Sequence, residues 1–348
     1  MVTLKDVAER AGVSPATVSY VLRGGRHVSK WTDERVRKAA NELGYATNMA
    51  ARSLKYGRTG VIELVVRGLD VSSIYAKMVT HVKHACSDRG YRSLVMQTEQ
   101  DSRTLRDAVG EINSQSCDGM LLDAFGLPKD VIDRLNGNRA IVLLDDLSKR
   151  PAFDTVVMPH RESSLIATRY LIERGCRRIA FVGADRSDLQ VAAGSGEDSA
   201  RSLRLEGYLQ AMEEAGLAVR PEWLIPVDWR YFVGVDVGRG LACDGRLDVD
   251  GVVCCNDSLA IGLIRGLADA GARVPDDVMV VGSDGVTVGE FTVPRLSTVA
   301  LDVPDLVNKG LGMLIERIDG TYDGEPRRVT AGCSLVAKES AGESASAD

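Results

Sequence analysis

The 348-residue sequence contains no uninterrupted apolar run of about 18 residues, so no membrane-spanning helix is expected. It also lacks a secretory pattern. Met1-Val2-Thr3-Leu4-Lys5-Asp6 places an acid and a base before any apolar block, and a cytoplasmic location is the expectation. Seven scattered cysteines, with no CxxC pair, argue against a zinc site or a disulfide framework. Cys254-Cys255 falls in an apolar strand, where buried thiols are ordinary. Histidine is scarce: only His27, His81, His84 and His160 occur. His81 and His84, three apart on a helix, read as an exposed polar pair and not as metal ligands. No Walker loop occurs, no GxGxxG opens a helix after a strand, and Gly194-Ser195-Gly196 lacks the GxSxG elbow. No cofactor, metal or catalytic constellation is therefore expected, and an enzyme is not the reading.

What is present is ordinary globular composition, 45% hydrophobic and 26% charged, at a length suited to two or three domains. The net charge of -6 conceals an asymmetry. Residues 1–58 hold eleven Lys/Arg against five Asp/Glu, or +6, leaving the remainder at -12. A small basic head on an acidic body suggests a polyanion-binding module joined to something else.

The head reads as helices. Leu4, Val7, Ala8 and Ala11 share one helical face, and Gly12 breaks that helix. Ser14 before Pro15 is an N-cap followed by a first-turn proline, so a second helix starts there. Val18, Val21 and Leu22 form its buried stripe, ended by Gly24-Gly25. A third helix begins near Ser29–Thr32, turns Val36, Ala39, Ala40 and Leu43 inward, and stops at Gly44. This is a helix-turn-helix, whose second helix lies in the DNA major groove. Pro15, Ala16, Thr17, Ser19 and Tyr20 face outward. Ala16 and the Thr17 methyl suit thymine methyls, Ser19 and Tyr20 suit base edges, and Ser14 with the helix-start amides suits a phosphate.

From Thr59 onward, short apolar strands alternate with amphipathic helices. Strands are expected at Val61–Val66, Ser93–Met96, Gly119–Leu122, Ala140–Leu144, Arg178–Val182, Gly251–Cys255 and Val278–Val281. Helices are expected over 75–88, 104–114, 161–174, 200–215 and 259–270. Such alternation implies parallel sheets covered on both faces. The last residues, 339–348, are small and polar and read as a disordered tail.

Val2-Thr3-Leu4-Lys5-Asp6-Val7-Ala8, Gly12-Val13-Ser14-Pro15-Ala16-Thr17-Val18-Ser19, Leu43-Gly44-Tyr45, Asn48 and Ala51-Arg52-Ser53-Leu54 closely resemble the lactose-repressor (LacI/GalR) family, and the likeness runs over about 2–338. The resemblance implies an N-terminal all-α helix-turn-helix domain (1–46, with Thr3 also at the DNA) and a hinge (47–58). It implies an α/β two-lobed domain (59–338) like type I periplasmic-binding proteins. Its N-lobe would be about 59–161 and 292–322, and its C-lobe about 162–291 and 323–338. In the family the hinge segment, here Asn48–Lys55 with Asn48, Ala51 and Arg52, folds into a minor-groove helix when a dimer holds operator DNA. Leu54 aligns with the leucine that wedges between base pairs, and such a wedge kinks the duplex. Tyr20 stands where the family usually has Arg, and Thr47 replaces a frequent Pro.

The same resemblance places a small-molecule effector between the lobes, with Ile74, Tyr75, Asp145, Arg204, Trp229, Asn256 and Asp284 at contact positions. A guanidinium forks onto two oxygens, acids accept from hydroxyls, and an aromatic stacks on a ring, which favours a sugar or polyol. Ser283 and Gly285 replace the usual Phe and Asp, Asp146 sits where Arg is frequent, and Leu301 stands near a position often held by Gln. The polar stretch 185–199 reads as a cleft loop. The implied function is a ligand-responsive transcriptional regulator, a repressor binding a pseudo-palindromic operator as a homodimer or tetramer. The alternative is an activator or corepressor-dependent member. A solute-binding protein would lack the basic head, and an enzyme would need a dyad or cofactor loop that is absent.

Overall fold

The computed structural model describes residues 2–22, 28–45, 58–67, 69, 73–98, 117–124, 132, 135, 139–243 and 247–342. Thr47 and the hinge positions Asn48, Ala51, Arg52 and Leu54, and the helix expected over 104–114, lie outside the described residues. The chain divides into two compact units, Met1–Thr59 and Gly60–Asp348.

The first unit packs α1 (Leu4–Ala11), α2 (Pro15–Val21) and α3 (Lys30–Glu42). Thr3 starts α1 through a capping box: its hydroxyl accepts from the Asp6 amide, and its own N–H donates to the Asp6 carboxylate at 2.7 Å. Gly12 ends α1 in the left-handed region (φ 61°), where a side chain would be strained. Val7, Ala8, Ala11, Val18, Val21, Val36, Ala39 and Ala40 fill the core. Its small side chains let three short helices approach closely.

The second unit contains two six-stranded sheets. The first orders its strands as β11 (Arg328–Thr330), β5 (Asp154–Val157), β4 (Ala140–Leu144), β3 (Gly119–Asp123), β1 (Val61–Arg67) and β2 (Arg92–Thr98). The second runs β12 (Cys333–Val336), β10 (Ser297–Leu301), β9 (Met279–Asp284), β8 (Gly251–Cys254), β6 (Ile179–Val182) and β7 (Leu224–Ile225). All pairings are parallel except β10 with β12. Helix α4 (Ser73–Asp88) and α10 (Val303–Asp319) cover the first sheet. The second carries α5 (His160–Glu173), α7 (Ala200–Glu214), α8 (Tyr231–Leu241) and α9 (Asp257–Asp269). The chain passes between the lobes three times: from β5 to α5, from β10 to α10 and from β11 to β12.

Those passages correct the expected lobe boundaries. Ser297–Leu301 belongs to the C-lobe, because β10 pairs in parallel with β9. Arg328–Thr330 belongs to the N-lobe, because β11 pairs with β5. The stretch 185–199 is not a loop: Arg186–Ser195 forms helix α6, started by a capping box between Asp185 and Asp188. The first residues of the expected disordered tail are structured: Glu339–Ala341 form a 3₁₀ turn closed by Gly342. Ser340 is fully buried and bridges the Ser297 amide (2.8 Å) and the Val280 carbonyl (2.6 Å). Helix α8 forms despite Gly234, Gly238 and Gly240, because packing overrides propensity. A Cβ at Gly234 would lie 2.3 Å from the Leu259 carbonyl oxygen, and one at Gly262 would lie 2.0 Å from that of Tyr231.

One buried ion cluster closes the N-lobe. The fully buried carboxylate of Asp154 accepts from Arg317 Nε (3.0 Å), Arg327 Nη2 (2.8 Å) and the Arg327 amide (2.7 Å). Both guanidiniums lie over the Tyr322 ring, at 4.5 and 3.9 Å. Burial pushes this carboxyl up, but the two arginines outweigh it and hold it at about 2. Its folded value lies below the unfolded one, so the stabilisation is present above about pH 4 and lost as pH falls toward 2. Urea unfolding of the second unit should show about 2–3 kcal/mol lost over that window. Asp154→Ala should cost about 3 kcal/mol at pH 7, since it strands two guanidiniums. A pH-independent unfolding free energy between 5 and 2 would remove Asp154 from that role.

Candidate functional site

In the first unit, α2 presents one exposed end. Val18 and Val21 are buried, Pro15, Ala16 and Tyr20 are exposed, and Thr17 and Ser19 are half-buried. The Ser14 hydroxyl accepts from the Thr17 amide (3.1 Å) and shares a bond with the Thr17 hydroxyl (2.9 Å). The side chains of Ser14 and Thr3, expected at DNA, therefore cap helices in this structure. Two residues missed in the sequence brace α2 from α3. Arg35 donates to the Gly12 carbonyl in the turn (3.2 Å), and Arg37 donates to the Val21 carbonyl at the end of α2 (3.4 Å). The Arg35 guanidinium also lies 4.0 Å over the ring of Trp31, which is 64% exposed. The exposed, positive end of the α2 dipole and this basic frame suit a polyanion.

In the second unit, the candidate residues gather at the carboxyl ends of parallel strands, where ligands bind in such sheets. Asp145 follows β4 and Asp284 ends β9. Both have positive φ (66° and 124°), which costs about 1–3 kcal/mol each for a non-glycine residue. Between them stands Arg204 on α7, only 5% exposed. Its Nη2 lies 3.5 Å from Asp284, its Nε donates to His160 Nδ1 at 3.1 Å, and its guanidinium sits 5.0 Å from the Trp229 ring. Nη1 is buried and has no hydrogen-bond partner among the described residues. Such an orphan donor is costly unless an acceptor arrives.

Trp229 is fixed by its Nε1, which donates to the Gly183 carbonyl at 2.9 Å. Only glycine fits at 183, since its φ is 127° and a Cβ would lie 2.5 Å from Cys255 Sγ. Asp257 is wholly buried and accepts from Thr298 Oγ1 (2.6 Å) and the Val286 amide (2.7 Å), tying down the loop after Asp284. Burial pushes Asp257 up to about 6, against its hydrogen bonds from Thr298 and Val286. Burial also pushes Asp284 up to about 7; Arg204 opposes this, and Asp257 and Asp145 add to it.

The other expected contacts stand further back. Both Asp145 oxygens meet His160 Nε2, at 3.0 and 2.9 Å, and one accepts from the Met158 amide. Burial pushes Asp145 up, but His160, the Met158 amide and Arg204 outweigh it and hold it below the ordinary carboxylate value. Asn256 caps α9 by accepting from the Leu259 amide (2.9 Å). Ile74 is buried in the N-lobe core. Tyr75 donates to Asp123 at the end of β3 (2.8 Å), an acid the sequence reading missed.

The departures from the family pattern have local reasons. Ser283 bonds Ser163 across to α5 (2.7 Å). A Cβ at Gly285 would lie 2.4 Å from Ala300 Cβ, and its carbonyl accepts from Lys77 of the opposite lobe. Asp146 accepts from the Ser148 amide and hydroxyl. Leu301 borders a cavity of about 10 Å³ beside Met158, His160, Arg204, Asp284 and Cys333.

Residues 3–48 match the model for bacterial regulatory proteins of the lacI family, and residues 168–341 match a periplasmic binding protein-like domain. The transcriptional repressor PurR of Vibrio campbellii is 31% identical over 324 residues, covering 91% of this chain and 92% of that protein. The cellobiose complex of the transcriptional regulator CelR is 30% identical, with a TM-score of 0.69, over 98% of this chain and all of that one. The Lac repressor bound to ONPG is 25% identical with a TM-score of 0.77, over 97% of this chain and 99% of that one. With its helix-turn-helix unit and its two-sheet α/β unit, the chain belongs to the lacI family of bacterial regulatory proteins.

Proposed function

We propose that this protein is a transcriptional repressor whose grip on operator DNA is set by a small polar effector held between the two lobes. The carrying observation is the pairing, in one chain, of an exposed recognition helix with a buried Arg204 whose Nη1 awaits an acceptor. Pro15, Ala16, Thr17, Ser19 and Tyr20 are assigned to base edges, and Ser14 and Thr3 to helix starts that face phosphate. Asn48, Ala51, Arg52 and Leu54 are assigned to the hinge, with Leu54 as the minor-groove wedge. The +6 charge of residues 1–58 supplies phosphate affinity that does not depend on sequence.

Arg204, Asp284 and Trp229 are assigned to the effector. An acceptor oxygen answers Nη1, a hydroxyl donates to Asp284, and the indole supplies a flat apolar face. That donor–acceptor mixture suits a sugar or polyol, and the relative CelR is known in complex with cellobiose. Asp145 and Asn256 hold the cluster in place, and Ile74 and Tyr75 complete the N-lobe wall. Two copies read a pseudo-palindrome by two-fold symmetry. Phe232, Phe291 and Val293, all at least 80% exposed, offer apolar surface for a second copy to cover. Among the described residues, no helix is long and apolar enough to cross a membrane, which fits a regulator acting on DNA in the cytoplasm.

Two experiments test this reading. A thermal-shift panel of cellobiose, hexoses, polyols and nucleobases should yield a stabilising compound for the full chain, as binding to the native state requires. Arg204→Ala should abolish that shift while operator affinity changes less than about threefold; a retained shift would take Arg204 out of the site. In a gel-shift titration, Leu54→Ala should weaken specific operator binding by tenfold or more, since the kink is lost, and leave the thermal shift intact. Unchanged operator affinity would defeat the wedge assignment.

A further inference from the structure

His160 is nearly fully buried, is the first residue of α5 and stands on the passage from β5 into the second lobe. The sequence reading assigned it no role. In the fold it lies between an acid of one lobe and the arginine of the other. Asp145 follows β4 of the N-lobe, and Arg204 belongs to α7 of the C-lobe.

The bonding pattern selects one form of the ring. Arginine in a protein is always charged and only donates, so the bond from Arg204 Nε needs a lone pair on His160 Nδ1. The proton must then sit on Nε2, which faces both oxygens of Asp145 at 3.0 and 2.9 Å. A doubly protonated ring would point an N–H at a guanidinium. A ring protonated only on Nδ1 would leave Asp145 without its donor. Only the neutral Nε2–H tautomer satisfies both neighbours.

We propose that His160 is a positioning residue of the effector site: locked as one tautomer by Asp145, it fixes the direction of the Arg204 guanidinium and thereby aims Nη1 at the ligand. The inference rests on the assignment of Arg204 to the effector. With Nε held by the imidazole and Nη2 by Asp284, the planar fork has no freedom to turn, and Nη1 is the remaining donor. The cavity of about 10 Å³ beside it touches all three interlobe passages, through Met158, Leu301 and Cys333. A tilt of His160 therefore moves with any change in the lobe-to-lobe angle, and Arg204 follows it.

Two substitutions separate the two bonds of the ring. His160→Asn keeps an acceptor near the Nδ1 position and gives up the donor to Asp145. His160→Gln keeps a donor near the Nε2 position and gives up the acceptor for Arg204. The first readout uses full-length protein labelled in histidine and arginine, at pH 7.5 and without any ligand. The wild-type His160 signal, assigned by its absence in His160→Gln, should carry the chemical shifts of the Nε2–H tautomer. A slowly exchanging Arg204 Nε–H signal, absent in Arg204→Lys, should persist in His160→Asn and vanish in His160→Gln. The Nδ1–H tautomer, or an Arg204 signal that survives in His160→Gln, would overturn the proposal.

The second readout is the thermal shift with cellobiose, or with whichever panel compound stabilises the wild type most. His160→Asn should retain at least half of that shift and His160→Gln less than a fifth. Equal loss in both variants would mean a merely structural histidine and would also overturn the proposal. The first readout needs no effector, so it decides His160 even if no compound in the panel binds, an outcome that counts against the effector assignment instead.

Discussion

A guanidinium taken out of water must be met by acceptors on every side, and the effector domain is arranged around that demand. Arg204 draws on Asp284 from one strand end, on His160 from an interlobe passage and on Trp229 from the segment before α8. Each partner needs its own anchor. Asp145 holds His160, the Gly183 carbonyl holds Trp229, and Asp257 holds the loop that follows Asp284. Nearly every residue of this network sits at a strand end or at a passage between lobes. One buried charge thus ties the geometry of the cleft to the geometry of the connections. In the proposed function the Nη1 donor left over is where the effector gains most, because an acceptor there relieves a buried orphan.

The same network makes the site strained and electrostatically crowded. Asp145 and Asp284 adopt backbone conformations that L-residues avoid, and four carboxyl or imidazole groups lie around one arginine. Burial raises Asp284 and Asp257, whereas His160 and Arg204 keep Asp145 low. Stability of this kind is maintained by the surrounding sheets, whose Val, Ile and Leu strands build separate buried cores on their faces. The DNA-binding unit has a different economy. It is small, its core relies on valine and alanine, and Arg35 and Arg37 supplement packing by tying α3 to the turn before α2 and to its last residue.

Much of this was legible in the chain because the signals are local. Ser14-Pro15, the Gly12 break and the stripe of Val18 and Val21 mark α2. The apolar runs of β1, β3, β4, β6 and β8 mark buried parallel strands. Arg204, Trp229 and Asp284 came from likeness to a family, and the fold brings them within one cluster. What the reading missed is non-local or overridden by packing. His160 meets Asp145 and Arg204, 15 and 44 positions away in the chain, only once the chain is folded back. Helix α8 carries Gly234 and Gly238, whose merit appears only against α9. The polar stretch after Asp185 did hold a readable capping box, Asp185 with Asp188, and weighing it would have given helix α6. The lobe boundaries slipped because β10 and β11 are short, and their sheet membership depends on partners far away in the chain.

In the proposed function, DNA and effector act on one equilibrium from two sites. Linkage makes that quantitative: whatever factor the effector imposes on operator affinity, the operator must impose on effector affinity. The direct measurement is a pair of titrations on the full-length protein at fixed salt. One follows operator binding with and without saturating effector, and the other follows effector binding with and without saturating operator. The account predicts the same factor in both, between about 5 and 150. A factor of one in either titration, with both ligands bound, would contradict it.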